Sequence, residues 1–190
     1  CVLWVQTSPE YEIACRNSFQ LATLMLDEAL YDLQWTALVE GQASGTLPPA
    51  VILDVDETVL DNSPYQARLL VSGESYSSDT WARWVEEAAA DPVPGALDFT
   101  RRADRLGIAV FYVTNRRAPL EVATRANLED LGFPVRDDYD VLLLRGELPE
   151  GAVDAERLAE QGQGAVVLAV QAEIAGQVVE PDPLIGPVLE

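Results

Sequence analysis

Four carboxylates, Asp54, Asp56, Glu57 and Asp61, fall within eight positions of the stretch AVILDVDETVLDNSPY, which begins as an aliphatic run. Clustered like charges beside a core segment cost energy unless a cation or a bound anion's counter-ion sits among them. Asp54 and Asp56 are two apart, so in extended backbone both side chains leave the chain on one side. One can then act as a nucleophile and the other as a proton carrier, provided a hard divalent cation offsets their charge. Magnesium suits that role because it prefers oxygen ligands and bridges to phosphate oxygens. A second polar group, Thr114-Asn115-Arg116, closes another aliphatic run. It offers a hydroxyl, an amide and a fixed cation, a set matched to an anionic phosphoryl group. A plainer reading stands beside each. Asp61-Asn62-Ser63-Pro64 is turn-forming by composition, so Asp61 is open to an Asx-turn role, and Thr114 with Arg116 could end an ordinary strand.

The elements needed to position these groups are legible around them. AVILDV is apolar without alternation, the pattern of a parallel strand covered on both faces, and IAVFYVTN, YDVLLLR and AVVLAV read likewise. Between them lie helical segments: Asp79 to Ala90 with Asp79-Thr80 as cap, ALDFTRRADRLG stopping at Gly107, Leu120 to Leu131 ending at Gly132, and VDAERLAEQG. Upstream, Tyr11, Cys15, Phe19, Ala22, Leu26, Leu30 and Leu33 recur at helical spacing, predicting one or two amphipathic helices over Ser8 to Val39. GQASGTLPP then reads as a linker. Alternating strands and helices predict an α/β domain whose parallel sheet has helices on both faces. In such sheets ligands bind beyond the carboxyl ends of strands, where both polar groups lie.

Composition narrows the chemistry. The chain has 190 residues, enough for the core of one domain, with 32 acidic against 12 basic residues and a formal charge of −20. Such a surface repels a phosphate backbone, which sets nucleic acid aside as a partner. There is no histidine and no lysine; all basic residues are arginines, so imidazole and lysine amine mechanisms are excluded and carboxylates must do the acid, base and ligand work. Cys1 and Cys15 lack zinc spacing, and nothing else in the sequence supports a disulfide between them. No run reaches the roughly 20 apolar residues of a membrane span, and none resembles a signal peptide, so any export signal would lie outside this chain. Cys1 is open to two readings, a lipid-bearing cysteine left by signal cleavage or a simple chain boundary.

DVDETVL resembles the first motif of the haloacid dehalogenase superfamily. The longer ILDVDETVLDNSPY, with FYVTNR, LWVQTSPEY, PGALDF and PDPLIG, resembles the class C bacterial acid phosphatases, exported and often lipid-anchored phosphomonoesterases and nucleotidases. That resemblance implies a haloacid dehalogenase-like, Rossmann-like sheet over residues 1–190, with an N-terminal helical segment at 1–45 and a small cap insertion at 62–95. It implies Asp54 as a nucleophile forming an aspartyl-phosphate, and Asp56 as general acid and base. Thr114, Asn115 and Arg116 would hold the phosphate, with magnesium on Asp54, Asp56 and Glu173. Tyr65, Trp81 and Trp84 would fall where an aromatic cap stacks on the leaving group, although helix packing explains either tryptophan equally simply. The implied partner is a small phosphorylated substrate such as a nucleoside monophosphate, and a homodimer and a membrane lipid on Cys1 fit the same family.

Two family features are missing. Ala155, in RGELPEGAVDAERL, stands where the family carries a lysine; Arg116, Arg145 and Arg157 are the arginines that could reach in its place, in a different geometry. After VVLAV the family carries paired aspartates, whereas QAEIAGQ follows here with Glu173 alone. The alternative reading is therefore a degenerate phosphatase-like binding protein that keeps the anion crevice without turnover.

Overall fold

The computed structural model describes residues 1–31, 49–137, 140–145 and 167–170, the last as backbone alone. Its centre is a parallel sheet of β1 (Ala50–Asp54), β4 (Ala109–Arg117), β5 (Leu142–Arg145) and β6 (Val167–Val170), in the order β5-β4-β1-β6. Parallel neighbours require crossovers, and the described crossovers are helical. Between β1 and β4 run α3 (Ser63–Ser72), α4 (Ser78–Glu86) and α5 (Ala96–Arg105); between β4 and β5 runs α6 (Glu121–Leu131), after one 3₁₀ turn. Val110, Phe111 and Tyr112 are all at most 3 % exposed, so β4 is covered on both faces, as its unbroken aliphatic run demands. Asp54 pairs in register with Val113, which puts the end of β1 beside Thr114.

The N-terminal segment forms α1 (Val2–Thr7) and α2 (Pro9–Tyr31), broken at Ser8, whose extended backbone ends the first helix. Tyr11, Cys15, Phe19, Ala22 and Leu26 form the buried stripe read from the sequence, and Phe19 meets Phe99 of α5 at 5.7 Å. Residues 32–48, including Leu33 and the stretch read as a linker, lie outside the described residues, as do the segment VDAERLAEQG read as a helix and everything after 170. The buried apolar residues of sheet and helices form one contiguous cluster. Among the described residues no helix is long and apolar enough to cross a membrane.

Three details differ from the sequence reading. Asp61-Asn62-Ser63-Pro64 does turn, but it turns into a helix, α3, with Pro64 in its first turn, where a missing N–H costs nothing. Helix α4 starts one residue early, at Ser78, and its cap is Ser77, which exchanges bonds with Thr80 in a capping box. It also ends at Glu86 rather than Ala90, because Ala88 adopts φ 48° and turns the chain into the two-residue strand β3 (Asp91–Pro92), paired with β2 (Leu60–Asp61). Cys1 and Cys15 are both free thiols, exposed and buried respectively.

Candidate active site

The chain leaves β1 at Asp54 and curls sharply. The carbonyl of Val55 accepts the N–H groups of Val59 and Leu60 at 3.0 and 2.9 Å, and Glu57 N–H returns to the carbonyl of Leu60 at 2.8 Å. Val55, Val59 and Leu60 are fully buried and anchor this curl. Its tightness places Glu57 at φ 59°, a left-handed conformation that a non-glycine residue adopts at a cost.

Asp56 is the most heavily held side chain of the group. Its Oδ1 accepts from Asn62 Nδ2 at 2.9 Å, Arg116 Nη2 at 2.8 Å and Arg116 Nε at 3.1 Å. Its Oδ2 accepts from Thr114 Oγ1 at 3.1 Å and has only a longer 3.4 Å contact with Arg116 Nε. One oxygen is thus an anchor, and the other is the freer for proton exchange. The Arg116 side chain is 1 % exposed against 24 % for Asp56. Its remaining donors go to Thr124 Oγ1 at 3.1 Å and Asn62 Oδ1 at 3.4 Å, and Trp81 lies 5.5 Å from its guanidinium carbon. The cation read from the sequence as a phosphate ligand is therefore bonded to a carboxylate of its own chain. Strand alternation accounts for this: Thr114 and Arg116, two apart, share the buried side of β4, while Asn115 between them is exposed.

Asp54 ends β1 with an accessible edge and accepts one side-chain bond, from Thr58 Oγ1 at 3.2 Å. Protein covers enough of the carboxylate that desolvation, then the negative charge of Asp56, push its pKa up to about 6; the Thr58 hydroxyl and the Arg116 charge pull the other way. Glu57 is pushed up to about 7 by burial and again by Asp56, against the pull of the Asn62 N–H it accepts at 3.1 Å. One buried guanidinium thus does not offset the carboxylates of this loop.

The remaining sequence expectations fall as follows. Asp61 makes the Asx turn, accepting from Ser63 N–H at 2.8 Å. Tyr65 and Trp84 are buried, 6 % and 3 % exposed, with rings 6.4 Å apart; Tyr65 OH bonds Thr80 Oγ1 at 2.9 Å and its ring meets Trp81 edge-on at 5.2 Å. Trp81 is half-buried and approached by exposed Tyr76. Arg145 is exposed at the end of β5. Glu173, Ala155 and Arg157 lie outside the described residues. Sequence reasoning missed Asn62. It occupies the N-cap position of α3 yet makes no capping bond, because its amide is committed to Asp56, Trp84 Nε1 at 2.9 Å and Arg116. An asparagine at a helix start looks like a cap, so nothing local marks it.

The donor set fits magnesium only in part. Asp54 offers an accessible carboxylate, but Asp56 already accepts from Arg116, Asn62 and Thr114, and no group of three His, Cys, Asp or Glu residues is arranged to hold a metal among the described residues. These residues alone do not complete a site.

A family model described as HAD superfamily, subfamily IIIB (acid phosphatase) matches residues 3–163. The chain is similar to class C acid phosphatase from Bacillus anthracis, at TM-score 0.71 and 32 % identity, covering 87 % of this chain and 64 % of that one; a structure of that protein with tungstate bound matches equally. Acid phosphatase 1 of Solanum lycopersicum is 33 % identical over 100 residues, 53 % of this chain and 38 % of that protein. The stem 28 kDa glycoprotein of Glycine max is 27 % identical over 82 residues, 43 % and 32 % of the two chains. This chain therefore spans under two thirds of the length of each.

Proposed function

We propose, for a chain that belongs to the HAD superfamily, subfamily IIIB (acid phosphatase), that it hydrolyses small phosphomonoesters through Asp54 and Asp56. The observation that carries this reading is the unequal treatment of the two aspartates. Asp54 is accessible with a single side-chain hydrogen bond, while Asp56 beside it is fixed by three side chains. A nucleophile must be free to reach phosphorus; a proton carrier must be aimed.

In the proposed reaction an Asp54 oxygen attacks phosphorus and forms an acyl phosphate as the bond to the leaving oxygen breaks. The leaving oxygen takes the electron pair and a proton from Asp56 Oδ2. Water then attacks the acyl phosphate, giving its proton to Asp56, and inorganic phosphate departs with Asp54 restored. Asn115, exposed two residues before the end of β4, and the backbone there would supply donors to the phosphoryl oxygens. Thr114 already donates to Asp56, so it serves the proton carrier in this state. Trp81, half-buried beside Arg116, is the ring on which a planar leaving group such as a nucleoside would rest. Tungstate is a tetrahedral oxyanion like phosphate, and its presence in the Bacillus anthracis relative agrees with this substrate class.

Magnesium belongs to the reading as a cation that would neutralise phosphate oxygens and the loop's excess charge. Its remaining ligands would have to come from residues such as Glu173. Export, with lipid on Cys1, is proposed from the family likeness and is checked by fractionating the native cell. The second reading, a non-catalytic binding protein, is favoured by the missing lysine. Phosphate release from p-nitrophenyl phosphate with magnesium, against Asp54→Asn, decides between the two. Turnover lost in the variant supports hydrolysis, and turnover absent from both supports binding.

A further inference from the structure

The amide of Asn62 joins two parts of the molecule that are distant in sequence. Its Nδ2 donates to Asp56 Oδ1, and its Oδ1 accepts from Trp84 Nε1 on α4 and, at longer range, from Arg116 Nη2. Only an amide does this. A carboxylate has no donor for Asp56, and a hydroxyl is too short to span both partners. The orientation is fixed chemically, because the flipped amide would set its N–H groups against an indole N–H and a guanidinium, and its carbonyl against a carboxylate. Asn62 is 1 % exposed and Trp84 3 %, so no water can substitute from outside. Helix α4 reaches the same aspartate by a second route, since Trp81 lies over the guanidinium that bonds Asp56.

We propose that Asn62 and Trp84 are positioning residues that make the aim of Asp56 depend on how α4 is docked, so that leaving-group contacts with α4 are transmitted to the proton carrier. This rests on the reading of Asp56 as general acid given above. Its consequence is a dependence on leaving group. Departure of p-nitrophenolate needs little proton donation, whereas departure of an alkyl alcohol needs it fully. A poorly aimed Asp56 therefore harms the first step selectively for alkyl phosphates, while its effect on hydrolysis of the acyl phosphate is common to both substrates.

The test compares p-nitrophenyl phosphate with β-glycerol phosphate in wild type, Asp56→Asn, Asn62→Ala, Trp84→Phe and the Asn62→Ala/Trp84→Phe double variant. Trp84→Phe keeps an aromatic ring against Tyr65 but removes the indole N–H together with the pyrrole half of the ring that Arg68 overlies, which is why the leaving-group comparison and the resonance below, rather than the size of the loss alone, carry the test. The expected result is that Asn62→Ala and Trp84→Phe each lower kcat/KM, which reports formation of the acyl phosphate and not its hydrolysis, about tenfold on β-glycerol phosphate and less than about threefold on p-nitrophenyl phosphate. The double variant should be no worse than Asn62→Ala alone. Equal losses on both substrates, or losses that multiply, overturn the relay. If Asp56→Asn fails to discriminate between the substrates, the assignment of Asp56 itself is at fault; if it discriminates and Trp84→Phe does not, the relay alone fails. A second readout needs no turnover: the indole N–H resonance of Trp84 should move in Asp56→Asn more than that of any other tryptophan. An unmoved resonance overturns the wiring.

Discussion

Replacing Arg116 by methionine is the most informative perturbation of the fold around the site. The guanidinium is almost wholly buried and gives Nε and Nη2 to Asp56, Nη1 to Thr124 and a longer bond to Asn62. Methionine fills similar volume without charge, so the loss is electrostatic rather than a cavity. Removing one member of a buried pair costs about 3–5 kcal/mol, because the remaining charge is stranded. Asp56 keeps its bonds from Thr114 and Asn62 and is 24 % exposed, so the lower end, about 3 kcal/mol, is expected. For a chain of this length that corresponds to a melting temperature lower by roughly 6–12 °C. Arg116→Lys keeps the charge but replaces a planar fork with one ammonium, and should fall between the two. Urea denaturation of the three proteins at pH 7 measures this. A change below about 1 kcal/mol in Arg116→Met would show that the buried pair with Asp56 does not stabilise the fold as its burial implies.

Glu57 is pushed up to about 7 from 4.5, so its contribution to stability is fully present below about pH 4.5 and is lost as pH rises through 7. Without added metal, the unfolding free energy of wild type should therefore be lower at pH 8 than at pH 5 by up to about 2–3 kcal/mol from this residue, and Glu57→Gln should flatten the profile. An unchanged profile in Glu57→Gln would show that the loop does not strain this carboxylate. Leu53, one residue before the end of β1, is fully buried, so Leu53→Ala should cost about 2–5 kcal/mol in urea denaturation. Ser77→Ala, which removes the capping box of α4, should cost about 1 kcal/mol by the same measurement, with kcat on p-nitrophenyl phosphate nearly unchanged. Magnesium should raise the melting temperature of wild type and not of Asp54→Asn; equal shifts would place the cation elsewhere.

The parts legible in the sequence are those set by local pattern. β1 and β4 announce themselves as unbroken aliphatic runs, and the two-residue spacing of Asp54 and Asp56 places both at one strand end. What the sequence hid is long-range. Arg116 reads as a cation ready for a ligand, and only the fold reveals a carboxylate 60 positions upstream that already holds it. Asn62 and Trp84 are 22 apart, joined because α3 and α4 fold back over the loop. Asp61-Asn62-Ser63-Pro64 has turn chemistry at every position, yet the same residues also start a helix, and apolar burial of Tyr65 decides between the two. The two-residue spacing of Thr114 and Arg116 was a usable clue that both face inward together.

The central claim is that Asp54 accepts the phosphoryl group. Incubation with a ³²P-labelled phosphomonoester, rapid quench at low pH and mapping of the labelled peptide test it directly. Acid-stable, hydroxylamine-sensitive label is expected on the peptide carrying Asp54, and none in Asp54→Asn. Turnover with label on another residue, or turnover that persists in Asp54→Asn, would contradict it.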